Sequence, residues 1–134
     1  MLMDESIRNY IENVASKEPT PGGGSVAALA GSLGSALTAM VGYLTIGRKM
    51  YEELDNEAKK EMDNNFEELK KSIEKLNHIV DEDTKAFDKV MEAFKLPKET
   101  DEEKKNRSQA IQEGYKVALE VPLRCAEECF KVLE

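Results

Sequence analysis

The stretch Asp55–Lys95, DNEAKKEMDNNFEELKKSIEKLNHIVDEDTKAFDKVMEAFK, decides the fold. Ala58, Met62, Phe66, Leu69, Ile73, Leu76, Val80, Asp83, Phe87, Val90 and Phe94 follow one another at steps of four and then alternately three and four. That is a heptad stripe, and it predicts one long helix with a continuous apolar face. Leu96-Pro97 ends it, because the residue before proline is driven out of the helical region. On the C-terminal side, Thr100-Asp101-Glu102-Glu103 reads as a capping box opening a further helix, with Ile111, Tyr115, Ala118 and Val121 inward. Pro122 should kink or divide that helix.

On the N-terminal side, the residues from Thr20 to Gly47 include no charge. Small residues form two rows at i+4 spacing: Ala27, Gly31, Ser35, Ala39 and Ala30, Gly34, Thr38, Gly42. Three helical glycines cost about 3 kcal/mol relative to alanine. Close approach of another backbone would offset that, so the reading is a buried central helix, at a dimer seam, rather than a membrane span. Ser25 stands as its N-cap after the breakers of Lys17–Gly24. Ahead of these, Ile7, Tyr10, Ile11 and Val14 mark one face of a short helix over Ser6–Ser16. No strand pattern occurs. The fold class is all-α: a bundle of about four to five helices in a single domain over residues 1–134.

Composition excludes several functions. Nineteen basic against 27 acidic residues give a net charge of −8, the wrong sign for displacing counterions from nucleic acid. Two cysteines, Cys125 and Cys129, cannot staple a fold; at i, i+4 they read as small buried hydrophobes. With His78 as the one histidine, on a solvated face, they fall short of a zinc site. No secretory signal is evident, and the cytoplasm is the expected compartment.

Asp83 is the sharpest chemical feature, the one polar position in the stripe from Phe66 to Phe94. A carboxylate there must pair, take up a proton, or face a cavity, and either of the last two is how general acids arise. The structural alternative is an aspartate hydrogen-bonded to a neighbouring backbone, or one lying where the stripe drifts to the surface. Asp81 and Glu82 lie off the stripe and are expected in solvent. The run Pro19-Thr20-Pro21-Gly22-Gly23-Gly24-Ser25 is the second candidate. Glycines before a helix let a ligand approach exposed N–H groups. Its match to a dinucleotide fingerprint lacks the required strand and is treated as accidental. Arg48 and Lys49, the first charges after the uncharged run, suit either the helix dipole or a carboxylate ligand.

These residues resemble a known family. PTPGGGSVAA (19–28), VGYLTIGR (41–48), VDEDTKAF (80–87), KLPK (95–98) and EVPL (120–123) are similar to motifs of the cyclodeaminase domain of formiminotransferase-cyclodeaminase. Stand-alone relatives are described as cyclodeaminases or methenyltetrahydrofolate cyclohydrolases. The resemblance implies an all-helical dimer holding a tetrahydrofolate in a narrow cleft, with further helices after the segment matching Val121–Leu123. It implies closure of 5-formiminotetrahydrofolate to 5,10-methenyltetrahydrofolate with loss of ammonia, Asp83 supplying the proton. Hydrolysis of the methenyl compound and non-catalytic folate binding are the alternatives. Gly22, Gly23, Gly24 and Ser25 would offer backbone N–H groups to the folate, Arg48 would answer its carboxylates, and Asp81 would support. Neither a metal nor a redox cofactor is implied.

Overall fold

The computed structural model describes residues 1–134 and contains five α-helices and no strand. A 3₁₀ turn over Leu2–Asp4 leads into α1 (Ile7–Val14), α2 (Gly23–Thr45), the short α3 (Lys49–Glu52), α4 (Asn56–Phe94) and α5 (Asp101–Leu133). Local chemistry sets most boundaries. Ser6 and Asp55 accept the N–H groups of Asn9 and Ala58, capping α1 and α4. Thr100 and Glu103 form the expected capping box. Gly47, at φ 81°, takes the left-handed conformation that stops α2.

The long helix is the spine. α2 runs antiparallel along it, with Ser25 beside Val80, Ser32 beside Asn77 and Gly42 against Phe66. α5 also runs antiparallel to it, with Arg107 at Phe94, Gly114 against Val90 and Glu128 at Ser72. The shared core gathers Tyr10, Ala28, Leu76, Ile79, Val80, Ala86, Val121 and Cys125.

Tertiary packing revises several of the periodicity readings. α2 begins two residues before Ser25, with Gly22 as N-cap, so Ser25 is not the cap. The covered row of α2 is Ser25, Ala28, Ser32, Ser35 and Ala39, the row that faces α4. Of the small-residue rows, Gly31 packs on Cys129 and Leu76, whereas Gly34 faces open space. The central helix is therefore covered on one side only. Leu33, Leu37, Val41 and Leu44 stay about 60% exposed. α2 is also long and apolar enough to cross a membrane.

Only Tyr10 of the α1 stripe is buried; Ile7 and Ile11 line an open apolar groove of about 510 Å³ with Leu29 and Leu33. On α4, Ala86 and Ala93 are buried in place of Phe87 and Phe94, because alanine lets α5 approach closely. Gly114 does the same on α5, which leaves Tyr115 half-exposed with its ring edge against Phe94. Pro122 sits inside a continuous helix and does not divide it. His78 is exposed and Cys125 buried, both as the sequence predicts.

Candidate active site

Asp83 lies where α4 passes the N-terminus of α2. That first turn carries no side-chain cap of its own, and Asp83 supplies one from across the helix pair. Its Oδ2 accepts the Ser25 N–H at 2.9 Å. Gly24 makes room: a Cβ there would fall inside the carboxylate. Gly24 is thus needed for close approach, while Gly23 beside it faces open space.

Burial raises the Asp83 carboxyl above the ordinary aspartate value, and the Ser25 N–H bond pulls it partly back. No charged partner neutralises it. From α5 the Cys125 thiol feels Asp83, and it is itself pushed up to about 11 by burial first, then by Cys129 and Asp83. A carboxyl whose hold on its proton is strengthened by burial, carried on a rigid helix beside the α2 N-terminus, is suited to hand a proton to a departing group.

The remaining candidates separate. Ser25 is wholly buried. Its hydroxyl donates to the Val80 carbonyl at 2.8 Å and its N–H is held by Asp83, so neither is free for a ligand. Asp81 is 8% exposed, not solvated, and its Oδ1 accepts the Leu2 N–H at 2.6 Å. It anchors the N-terminal turn. Glu82 pairs with Arg124 at 2.5 Å. Arg48 follows the far end of α2, and a 23-residue helix is about 35 Å long. Asp83 and the Gly22–Gly24 turn come together; Arg48 of the same chain does not join them. No three His, Cys, Asp or Glu side chains converge into a metal-sized cluster.

Two buried polar side chains were not singled out from sequence, one at this site and one farther along α4 at Ser72. Tyr10, expected only as part of an apolar stripe, places its hydroxyl 2.9 Å from Ser25 Oγ. Glu128 is 7% exposed and bound by Ser72 at 2.7 Å and Lys75 at 3.3 Å. A tyrosine among isoleucines and a glutamate one turn past Cys125 are the only local signals, and neither specifies a partner.

Known proteins carry the same arrangement of sequence. A methenyltetrahydrofolate cyclohydrolase of Methylorubrum extorquens is 42% identical over the whole chain, which spans 62% of that relative. The formimidoyltransferase-cyclodeaminases of Mus musculus and Gallus gallus are 40% and 42% identical over 94% and 93% of the chain, covering 23% and 22% of theirs. The crystal structure of a formiminotetrahydrofolate cyclodeaminase from Thermotoga maritima superposes with a TM-score of 0.63 at 25% identity, over 98% of this chain and 74% of that one. The family model described as formiminotransferase-cyclodeaminase matches residues 6–134, and the chain belongs to that family.

Proposed function

We propose that this chain acts on a reduced folate, closing the formimino group of 5-formiminotetrahydrofolate onto N10 to give 5,10-methenyltetrahydrofolate and ammonia. The observation that carries the reading is the Asp83 carboxyl, raised by burial and seated on the α2 N-terminus. N10 attacks the formimino carbon and its proton passes to the formimino nitrogen, Asp83 gives that nitrogen a further proton, and the carbon–nitrogen bond breaks to release ammonia. Gly24 borders the acid, and the N–H groups of the Gly22–Gly24 turn, beside the Ser25 N–H that Asp83 caps, are offered to the folate. Ser25 and Asp81 drop out as ligand contacts, because both are committed inside the chain.

A second reading is hydrolysis of 5,10-methenyltetrahydrofolate, favoured by the full-length similarity to a protein described as that cyclohydrolase. The same acid would then serve the attack of water. In either case the working form is a homodimer built on the open face of α2, in which Arg48 could meet only a partner's site.

Purified chain assayed separately on the two folates decides between the reactions. Ammonia released from the formimino compound alone supports the cyclodeaminase, and loss of the methenyl absorbance supports the hydrolase. Asp83→Asn should lower the surviving activity by about 10²–10⁴-fold. Parental turnover in that variant removes Asp83 from the mechanism, and binding without turnover of either folate makes the chain a non-catalytic binder.

A further inference from the structure

α1 commits a single residue to the interior. Ile7 and Ile11 are 79% and 59% exposed, while Tyr10 is 7% exposed and meets Ser25 through its hydroxyl. Ser25 Oγ gives its own proton to the Val80 carbonyl, so Tyr10 is the donor in the 2.9 Å bond between the two hydroxyls. The backbone N–H of the same serine donates to Asp83. Ser25 therefore links α1 to two points of α4, Val80 and Asp83, three residues apart.

We propose that Tyr10 and Ser25 form a positioning relay for the Asp83 carboxylate, the Tyr10 hydroxyl fixing Ser25 and Ser25 in turn aiming its N–H at Asp83. The proposal rests on the reading of Asp83 as the proton donor. Both hydroxyls lie in or against the apolar cluster of Ala28, Leu76, Ile79 and Val80. Phenylalanine and alanine would fill those places without desolvating two polar groups. The pair is explained by what it holds. Ser25 supplies the one hydrogen bond that Asp83 receives from the protein, and Gly24, without a Cβ, lets the carboxylate sit directly against the α2 backbone where that bond is made.

Few groups compete for control of this acid. The uncharged α2 contributes none, α5 contributes the Cys125 thiol, and α1 contributes Tyr10 through Ser25. On α4 itself, Glu82 is turned to Arg124 and Asp81 to Leu2. The N–H bond favours the ionised form. Weakening it lets desolvation dominate, and Asp83 then titrates at higher pH.

The test is Tyr10→Phe, which removes one oxygen, in the full chain. Carboxyl-carbon NMR follows Asp83 through a pH titration, the signal being identified by its loss in Asp83→Asn. The expected result is an upward displacement of the Asp83 titration and a fall in kcat of about five-fold with KM nearly unchanged, the size of one neutral hydrogen bond. Ser25→Ala should move the titration further in the same direction. The double variant should be no worse than Ser25→Ala alone, since the two act in series. A titration superimposable on the parent's in both single variants, with only the melting temperature lowered, overturns the relay and leaves a structural tyrosine. Because the NMR readout needs no turnover, a chain inactive on both folates would end the catalytic reading while the relay still stands or falls on the titration.

Discussion

At the residue scale, two adjacent glycines have opposite meanings. A Cβ at Gly24 meets the Asp83 carboxylate, the movable end of a side chain, while one at Gly23 meets nothing. Gly24→Ala should therefore displace the acid and lower turnover by on the order of 10²-fold, with a small loss of melting temperature. Gly23→Ala should leave turnover near the parent's; equal effects of the two substitutions would refute the cradle. Asp83 also makes a stability prediction. Its folded-state value is raised, so the folded chain holds the proton more tightly than the unfolded chain does. Stability then falls as pH rises from the ordinary aspartate range through the raised value, and the cost persists above it. Asp83→Asn should be more stable than the parent at neutral pH, the gain vanishing below the ordinary aspartate range. Denaturant melts at both ends of that window measure this, and an unchanged gain in acid would contradict it.

At the element scale, the side-chain caps of α1, α4 and α5 rest on local groups, whereas the start of α2 and the exact phase of the buried faces do not. Ser6, Asp55 and the Thr100–Glu103 box depend on groups within four residues, which makes them visible in sequence. Thr100→Ala should cost about 1 kcal/mol. Thr100 caps α5 beyond the end of α4, whose last three turns separate it from Asp83, so turnover should not change; a chemical-denaturation midpoint beside an activity assay checks both. The heptad stripe correctly gave α4 its type and length. Its phase was wrong near the C-terminal end, where Ala86 and Ala93 are buried while Phe87 is exposed and Phe94 meets α5 only at its rim, through Arg107 and Tyr115. Hydrophobicity favours the aromatics, but helix approach favours alanine, and the latter depends on a partner helix whose Gly114 meets Val90 from 24 residues away.

At the scale of the whole molecule, the chain exposes 9625 Å², where a compact 15.0 kDa monomer has about 7,000 Å². The excess, on the order of 2,500 Å², matches one side of a large homodimer interface. Much of it is the open face of α2 and α1, with Leu33, Leu37, Val41, Ile7 and Ile11. Gly34 lies midway along α2 and faces open space, so Gly34→Leu should weaken association and leave the monomer folded. Gly31→Leu should instead unfold it, since Cys129 and Leu76 occupy that side. Sedimentation of both variants beside the parent tests this. A parent that runs as a monomer at micromolar concentration, or a Gly34→Leu chain that associates as tightly, would count against the dimer.

The sequence by itself determined the helical class, the extent of α4 and the capping box of α5, and it singled out Asp83 as the polar break in the stripe, because each is written in spacings of three or four residues along one helix. It also placed the glycine turn directly before α2. Only the tertiary structure decided that Gly24 and the Ser25 N–H receive Asp83 from 58 residues away, that Asp81 is an anchor, and that Arg48 lies at the other end of the bundle. Periodicity states which residues turn inward, but not which neighbour they meet. A hydrogen bond between helices depends on how two long helices slide against each other, and that register is set by side-chain volumes summed over the whole interface.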